Sequence, residues 1–147
     1  MTKIERRVTM HVIAPGDYFV AGELSYDPAD PLAVTIALYP GGYGDTYDQQ
    51  VIRWTFARDL LVTGATAGRA GHGDVRVQPS PCGHMVMLAI TGFDEDALQA
   101  TMILAVPRPV ALRFVRRTFV EVPRGSETPL VTAGVDELLE RLLEETP

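Results

Sequence analysis

Four groups of residues have types and spacings that could do chemistry. His72 and Asp74 stand close together, as do Cys82 and His84. A nucleophilic cysteine needs a positioned base and a third group that orients the base, and a Cys-Gly-His turn supplies neither by itself. A structural zinc site wants four ligands at recognisable spacing, which three scattered histidines and one cysteine do not provide. Asp94, Glu95 and Asp96 fall in one turn segment and read as solvated carboxylates, not as a tuned acid and base. Gly71-His72-Gly73 precedes a strand, so it is not a phosphate-binding loop leading into a helix. No catalytic residue, metal ligand or cofactor site is assigned from these patterns.

The fourth group is basic. Arg108, Arg113, Arg116, Arg117 and Arg124 make a local basic stripe on one predicted helix and just beyond its end, the form of an electrostatic footprint for nucleic acid. The tail that follows carries Glu121, Glu127, Asp136, Glu137, Glu140, Glu144 and Glu145, which can pair with the stripe or screen it. A solvated helix face is the plainer reading. The formal net charge of the 147-residue chain is −6, which argues against nucleic acid or an anionic membrane as the main partner.

The elements that must carry these residues are strands first. Ile52, Trp54 and Phe56 alternate with Arg53 and Thr55, then the period changes at Ala57 and a short helix begins around Asp59. Gly64 reads as its C-cap, and Trp54 as a core anchor. Upstream, strands are predicted near Ile4–Ile13, Tyr18–Tyr26 and Leu32–Tyr39. Gly22 within the second marks a bulge or a close backbone approach. Tyr26-Asp27-Pro28-Ala29-Asp30-Pro31 interrupts the ladder because its prolines remove donors. Pro40–Asp48 is a long hairpin loop bearing Tyr43 and Tyr47.

Downstream, Thr63–Gly73 reads as a linker, followed by strands at Gly73–Ser80, Met85–Ile90 and Ala97–Val106. The Met85–Ile90 run is apolar enough for a central strand buried on both faces, or covered by another subunit. Pro107 and Pro109 open a helix to about Val120, with Val110, Ala111, Phe114, Val115, Thr118 and Phe119 on one face. A last helix spans about residues 135–145, its apolar stripe being Val135, Leu138, Leu139 and Leu142. The order is ββββα, then βββα, then a C-terminal helix: an α+β fold of two antiparallel-sheet halves. A length of 147 residues fits one domain, with its core at about 4–130. Cys82 is the only cysteine and no apolar run could span a bilayer, which together predict a cytoplasmic protein without membrane insertion.

Four motifs occur in order. They are Tyr26-Asp27-Pro28-Ala29-Asp30-Pro31-Leu32-Ala33-Val34, Trp54-Thr55-Phe56-Ala57-Arg58-Asp59-Leu60-Leu61, Gly73-Asp74-Val75-Arg76-Val77-Gln78-Pro79-Ser80, and Phe114-Val115-Arg116-Arg117-Thr118-Phe119 with Val122-Pro123-Arg124-Gly125-Ser126-Glu127. Together they resemble the SsgA-like family of sporulation and cell-division proteins of actinomycetes, over about residues 18–130. Leu32, where an aromatic is common in the family, the long Gly41–Asp48 loop and the short Ser80–His84 turn depart from its pattern.

The resemblance implies a whirly-like fold assembled as a homotrimer, without catalytic residues or cofactors. It implies an adaptor at division septa in sporulation, whose partners are the tubulin-like GTPase FtsZ and other SsgA-like proteins. Carried over as scaffold or partner-facing positions are Asp27, Asp30, Trp54, Arg58, Asp59, Asp74 and Arg76. Arg58 and Arg76, beside Asp59 and Asp74, are expected to form ion pairs that fix the motif region. The same fold binds single strands of nucleic acid elsewhere, which keeps the Arg108, Arg113, Arg116, Arg117 stripe as the alternative site.

Overall fold

The computed structural model describes residues 2–44, 50–66, 70–72, 74–93 and 99–127. Eight strands and two helices follow one another as β1 (Ile4–Ala14), β2 (Tyr18–Tyr26), β3 (Ala33–Tyr39), β4 (Ile52–Ala57), α1 (Arg58–Thr66), β5 (Ala70–His72), β6 (Val75–Pro79), β7 (Met85–Phe93), β8 (Gln99–Pro107) and α2 (Arg108–Glu121). The strands form one antiparallel sheet in the order β4-β3-β2-β1-β8-β7-β6-β5. The fold is α+β. The two expected halves are visible in that order, but they join through β1 and β8 into a single sheet. The second half has a fourth strand, β5, where a linker was expected. Three residues, two of them Ala and Gly, carry too little alternation to be read as a strand.

The sheet curls, and the chain shows why. Helix α1 leaves the end of β4 and packs on β6, six strands away in the order. Six inter-strand spacings make about 29 Å in a flat sheet, whereas a nine-residue helix is about 14 Å long. Only a strongly curved sheet brings both within reach of α1. Helix α2 crosses β1, β8 and β7 and touches α1. The core between sheet and helices contains Met10, Val12, Leu24, Ile36, Leu61, Val77, Leu88, Leu104 and Phe114, all at most 2% exposed.

Period-two alternation predicts these buried faces well, with corrections at the ends. Leu32 precedes β3 and is 51% exposed, and Tyr18 at the start of β2 is 49% exposed. Trp54 is half-buried at the rim of the core, not its anchor, because it pairs with Ile36 on the outermost strand β4. In β7, Val86, Leu88 and Ile90 are buried while Met87 and Ala89 on the other face are half-buried, so the run is central but fully covered on one face only. Asp94–Asp96, Arg69, Tyr47 and the expected helix at 135–145 lie outside the described residues.

Two glycines are close approaches. Gly22 pairs with Val8 in an unbroken register, and a Cβ there would stand 2.7 Å from the Met10 sulfur. Gly64 does not cap α1 but lies inside it, where a Cβ would stand 2.4 Å from Cγ1 of Val77. Backbone contact between α1 and β6 requires the missing side chain.

Candidate functional site

The region around the first residue of α1 gathers most of the sequence motifs. Arg58 starts the helix by donating its backbone N–H to the carbonyl of Leu32, 2.7 Å away. Its side chain turns inward and is 1% exposed. Nη1 is shared between the carbonyls of Val122 (2.9 Å) and Thr118 (3.2 Å) and the hydroxyl of Tyr26 (3.2 Å). Nη2 donates to Oε1 of Glu127 at 2.6 Å. The guanidinium also packs over the Phe119 ring, 4.0 Å from its centroid.

Each contact has a physical reason. Val122 caps the C-terminal end of α2 and its N–H already donates to the Thr118 carbonyl. The helix dipole is negative at this end, so a buried cation is well placed. The planar guanidinium spreads its donors over a fork that reaches acceptors on several sides, whereas an ammonium has three donors at a single point. Tyr26 passes the connection on by donating to the Pro31 carbonyl at 3.0 Å, which ties down the turn carrying Asp27 and Asp30. Burial pushes the Tyr26 hydroxyl up from its ordinary value, with Arg58 pulling it down. The Glu127 carboxyl is held below the usual range, chiefly by its own backbone N–H; partial burial opposes this, and the Gly125 N–H and Arg58 add to it.

A second ion pair lies outside the first. Arg124 donates to Oδ1 of Asp59 at 3.0 Å, and both side chains are well exposed. Arg124 also stacks over Phe119, 5.1 Å from the ring centroid. Asp59 sits in the first turn of α1, where the dipole favours a carboxylate. Asp27 accepts from the Ala29 N–H at 3.0 Å and approaches Nζ of Lys3 at 3.6 Å, and Asp30 faces solvent on the same turn.

Of the residues predicted from sequence, Asp27, Asp30, Arg58 and Asp59 are therefore brought together. The expected pairings are replaced: Arg58 meets Glu127 and Asp59 meets Arg124. Asp74 and Arg76 are exposed on the far half of the sheet and form no ion pair among the described residues. Arg76 instead lines a shallow pocket of about 90 Å³ with Gln78, Met87, Ala89 and Ile103. Trp54 borders an apolar recess of about 300 Å³ with Pro15, Ile90 and Met102. Tyr26 and Phe119 carry no site role in the sequence reading, and Arg124 and Glu127 enter it only as members of the basic stripe and of the acidic tail that can pair with it. Their signal was present, since all four belong to the quoted motifs, but separations of 32 to 69 residues hide such partners.

The remaining chemical groups stay apart. Cys82 is exposed, and its side-chain partner among the described residues is the Ser80 hydroxyl at 3.3 Å rather than His84. That hydrogen bond, with one from the His84 backbone, draws the thiol below its ordinary value. His72 lies on β5, and Asp74 in the turn that follows. No three His, Cys, Asp or Glu side chains among the described residues are arranged to hold a metal. In the arginine stripe, Arg113, Arg116 and Arg117 are exposed, whereas Arg108 is drawn aside to donate to the Ala65 carbonyl at 2.9 Å. No helix among the described residues is long and apolar enough to cross a membrane.

These features define a curled-sheet α+β protein whose motifs converge on an intramolecular ion network. Residues 20–127 match the family described as Streptomyces sporulation and cell division protein, SsgA. The chain belongs to that family. It is 40% identical over 146 residues to the sporulation-specific cell division protein SsgB of Salinispora tropica, covering 97% of this chain and 94% of the relative. It is 36% identical over 110 residues to SsgB of Streptomyces coelicolor, covering 74% and 72% respectively. Among solved structures, an SsgA-like sporulation-specific cell division protein from Thermobifida fusca superposes with a TM-score of 0.75 at 26% identity, covering 95% of this chain and 96% of that one. The relatives' names support a role in sporulation cell division.

Proposed function

We propose that this protein is a non-enzymatic adaptor of sporulation-specific septation that recruits or positions the division GTPase FtsZ at septum sites. The observation that carries the reading is the satisfaction of Arg58. Three of the four family motifs are consumed in holding α1, the end of α2 and the Asp27–Pro31 turn rigidly together, and every buried side-chain nitrogen or oxygen among the described residues has a partner. What the network presents outward is a charged rim of Asp27, Asp30, Asp59 and Arg124 on a fixed frame. A rigid rim suits recognition, because its side chains lose little freedom on binding.

In this reading the protein works in the cytoplasm at division septa, as one whirly-like domain assembled into a homotrimer, alongside other SsgA-like proteins. Self-association has apolar surface to draw on. Phe19 is 73% and Val120 79% exposed, whereas Val86, Leu88, Leu104 and Val106 are covered within the chain. A monomer at micromolar concentration in sedimentation equilibrium would remove the trimer from the proposal.

A second reading, binding of single-stranded nucleic acid, draws on the exposed Arg113, Arg116 and Arg117. One paired experiment separates the two: co-sedimentation with polymerising FtsZ and anisotropy with labelled single-stranded DNA, each at low and moderate salt. Recruitment predicts FtsZ binding that persists at moderate salt and no DNA binding. Tight DNA binding that falls steeply with salt, through counterion release, with no effect on FtsZ, would replace the adaptor reading.

A further inference from the structure

One edge of the sheet is β4, and the outer side of that strand is unused. Arg58 donates its N–H to Leu32, the residue that the β3–β4 register sets opposite it. In an antiparallel ladder the hydrogen-bonded pairs recur at every second residue. The backbone groups of Phe56, Trp54 and Ile52 therefore face β3, and those of Thr55 and Arg53 face away from it. Arg53 and Thr55 find no other backbone partner among the described residues, and both are exposed.

Proteins ordinarily protect such an edge with prolines, bulges or a very short strand. The opposite edge, β5, is three residues long. β4 runs six residues in an unbroken register and contains no proline. Its one charge, Arg53, forms no ion pair among the described residues.

The two faces of the edge ask for different side chains. Alternation puts Arg53 on the outer face and Trp54 on the inner one. On that inner face lies the apolar recess of about 300 Å³ that Trp54 borders with Pro15, Ile90 and Met102, which has room for one large side chain. A residue opposite Trp54 on an added strand would point into it. A carboxylate opposite Arg53 would complete a cross-strand pair, whereas a second β4 would bring another Arg53 to the junction.

We propose that the β4 edge is a docking site for an extended segment of another protein in which a large apolar residue stands beside a carboxylate. The segment adds an antiparallel strand, with its carboxylate opposite Arg53 and its apolar side chain in the Trp54 recess. This surface is separate from the charged rim and does not depend on FtsZ being the protein recruited.

An end-blocked, fluorescein-labelled peptide, Ser-Thr-Glu-Phe-Glu-Thr-Ser, tests this on the full chain by anisotropy. Trp54 is the only tryptophan, so its emission is expected to shift to the blue as the unlabelled peptide binds. Arg53→Glu sets like charges opposite one another and weakens binding at least about tenfold. A peptide with lysine for both glutamates recovers it on that variant. Thr55→Pro removes an N–H that β3 does not use and abolishes binding, while circular dichroism stays native. Methylating both glutamate amide nitrogens of the peptide does the same without altering the protein. Serine for phenylalanine in the peptide also removes binding. No binding to the wild type overturns the proposal, and so does binding indifferent to Arg53→Glu or to the methylated backbone. Slow hydrogen exchange of the Arg53 and Thr55 amides without peptide means that the edge is already paired, by the chain itself or, if it grows with protein concentration, by a second copy. Either result overturns it. Asp59→Asn leaves peptide binding unchanged, which keeps this test apart from that of the rim.

Discussion

Nη2 of Arg58 meets Oε1 of Glu127 at 2.6 Å across 69 residues of chain, at the point where α1 begins and α2 has just ended. The other end of the same guanidinium serves α2's last carbonyls. Arg58→Met keeps much of the volume but leaves the Val122 carbonyl and the Glu127 carboxylate without the guanidinium that donates to them. A loss of about 3 kcal/mol or more is expected in urea unfolding. Arg58→Lys retains the charge but not the fork, so it recovers only part of that loss.

The Glu127 carboxyl predicts an acid-side dependence. Its folded value lies below the ordinary 4.5, so the stability it contributes is present above that value and is lost as pH falls through the lower, folded one. Wild type is expected to melt higher than Glu127→Gln at neutral pH. The gap between their Tm values should close below about pH 4.5. A gap that is constant from neutral to acid pH would show that the carboxylate charge is not what Arg58 holds.

Asp59 and Arg124 behave differently because both are exposed at 66% and 60% of their side chains. Exposed pairs contribute about 0–1 kcal/mol and are screened by salt. Asp59→Asn is therefore expected to unfold within about 1 kcal/mol of wild type. If the rim recognises a septation partner, the same substitution weakens co-sedimentation with FtsZ out of proportion to that small change. A double-mutant cycle with Arg124→Gln separates the pair's own coupling from the partner's.

Gly64→Ala sets two effects against each other. Ala raises helix propensity over Gly by about 1 kcal/mol. The new Cβ would stand 2.4 Å from Cγ1 and 2.7 Å from the backbone carbon of Val77, so α1 must move off β6. Overpacking of this kind costs about 1–3 kcal/mol, and the contact with backbone decides the sign: the variant is expected to be less stable in thermal unfolding. Adding Val77→Ala relieves the side-chain clash but not the backbone one, so rescue should be partial.

Legibility differed by element. α2 was readable in full, since Val110, Ala111, Phe114, Val115 and Thr118 are buried as their spacing requires. The alternation of β1 to β3 placed Met10, Leu24 and Ile36 inward correctly. β5 is not readable, and Gly64 reads as a cap, because a glycine near a helix end and a glycine pressed against another strand look the same in one dimension. Trp54 was misplaced for a related reason: a large aromatic on an alternating strand implies burial, but its strand is the last in the sheet.

By itself the sequence determined the classes of structure and the chemistry available: antiparallel strands from period two, α1 from the change of period at Ala57, α2 from period 3.6, a family from four ordered motifs. Those properties are local, or are matched along the chain. Only the tertiary structure decided which charges meet. Arg58 stands beside Asp59 in sequence, yet its side chain enters the core and takes Glu127, while Asp59 stays outside and takes Arg124. The curl of the sheet settles this, by bringing the start of α1 against the end of α2, and no spacing in the chain encodes it.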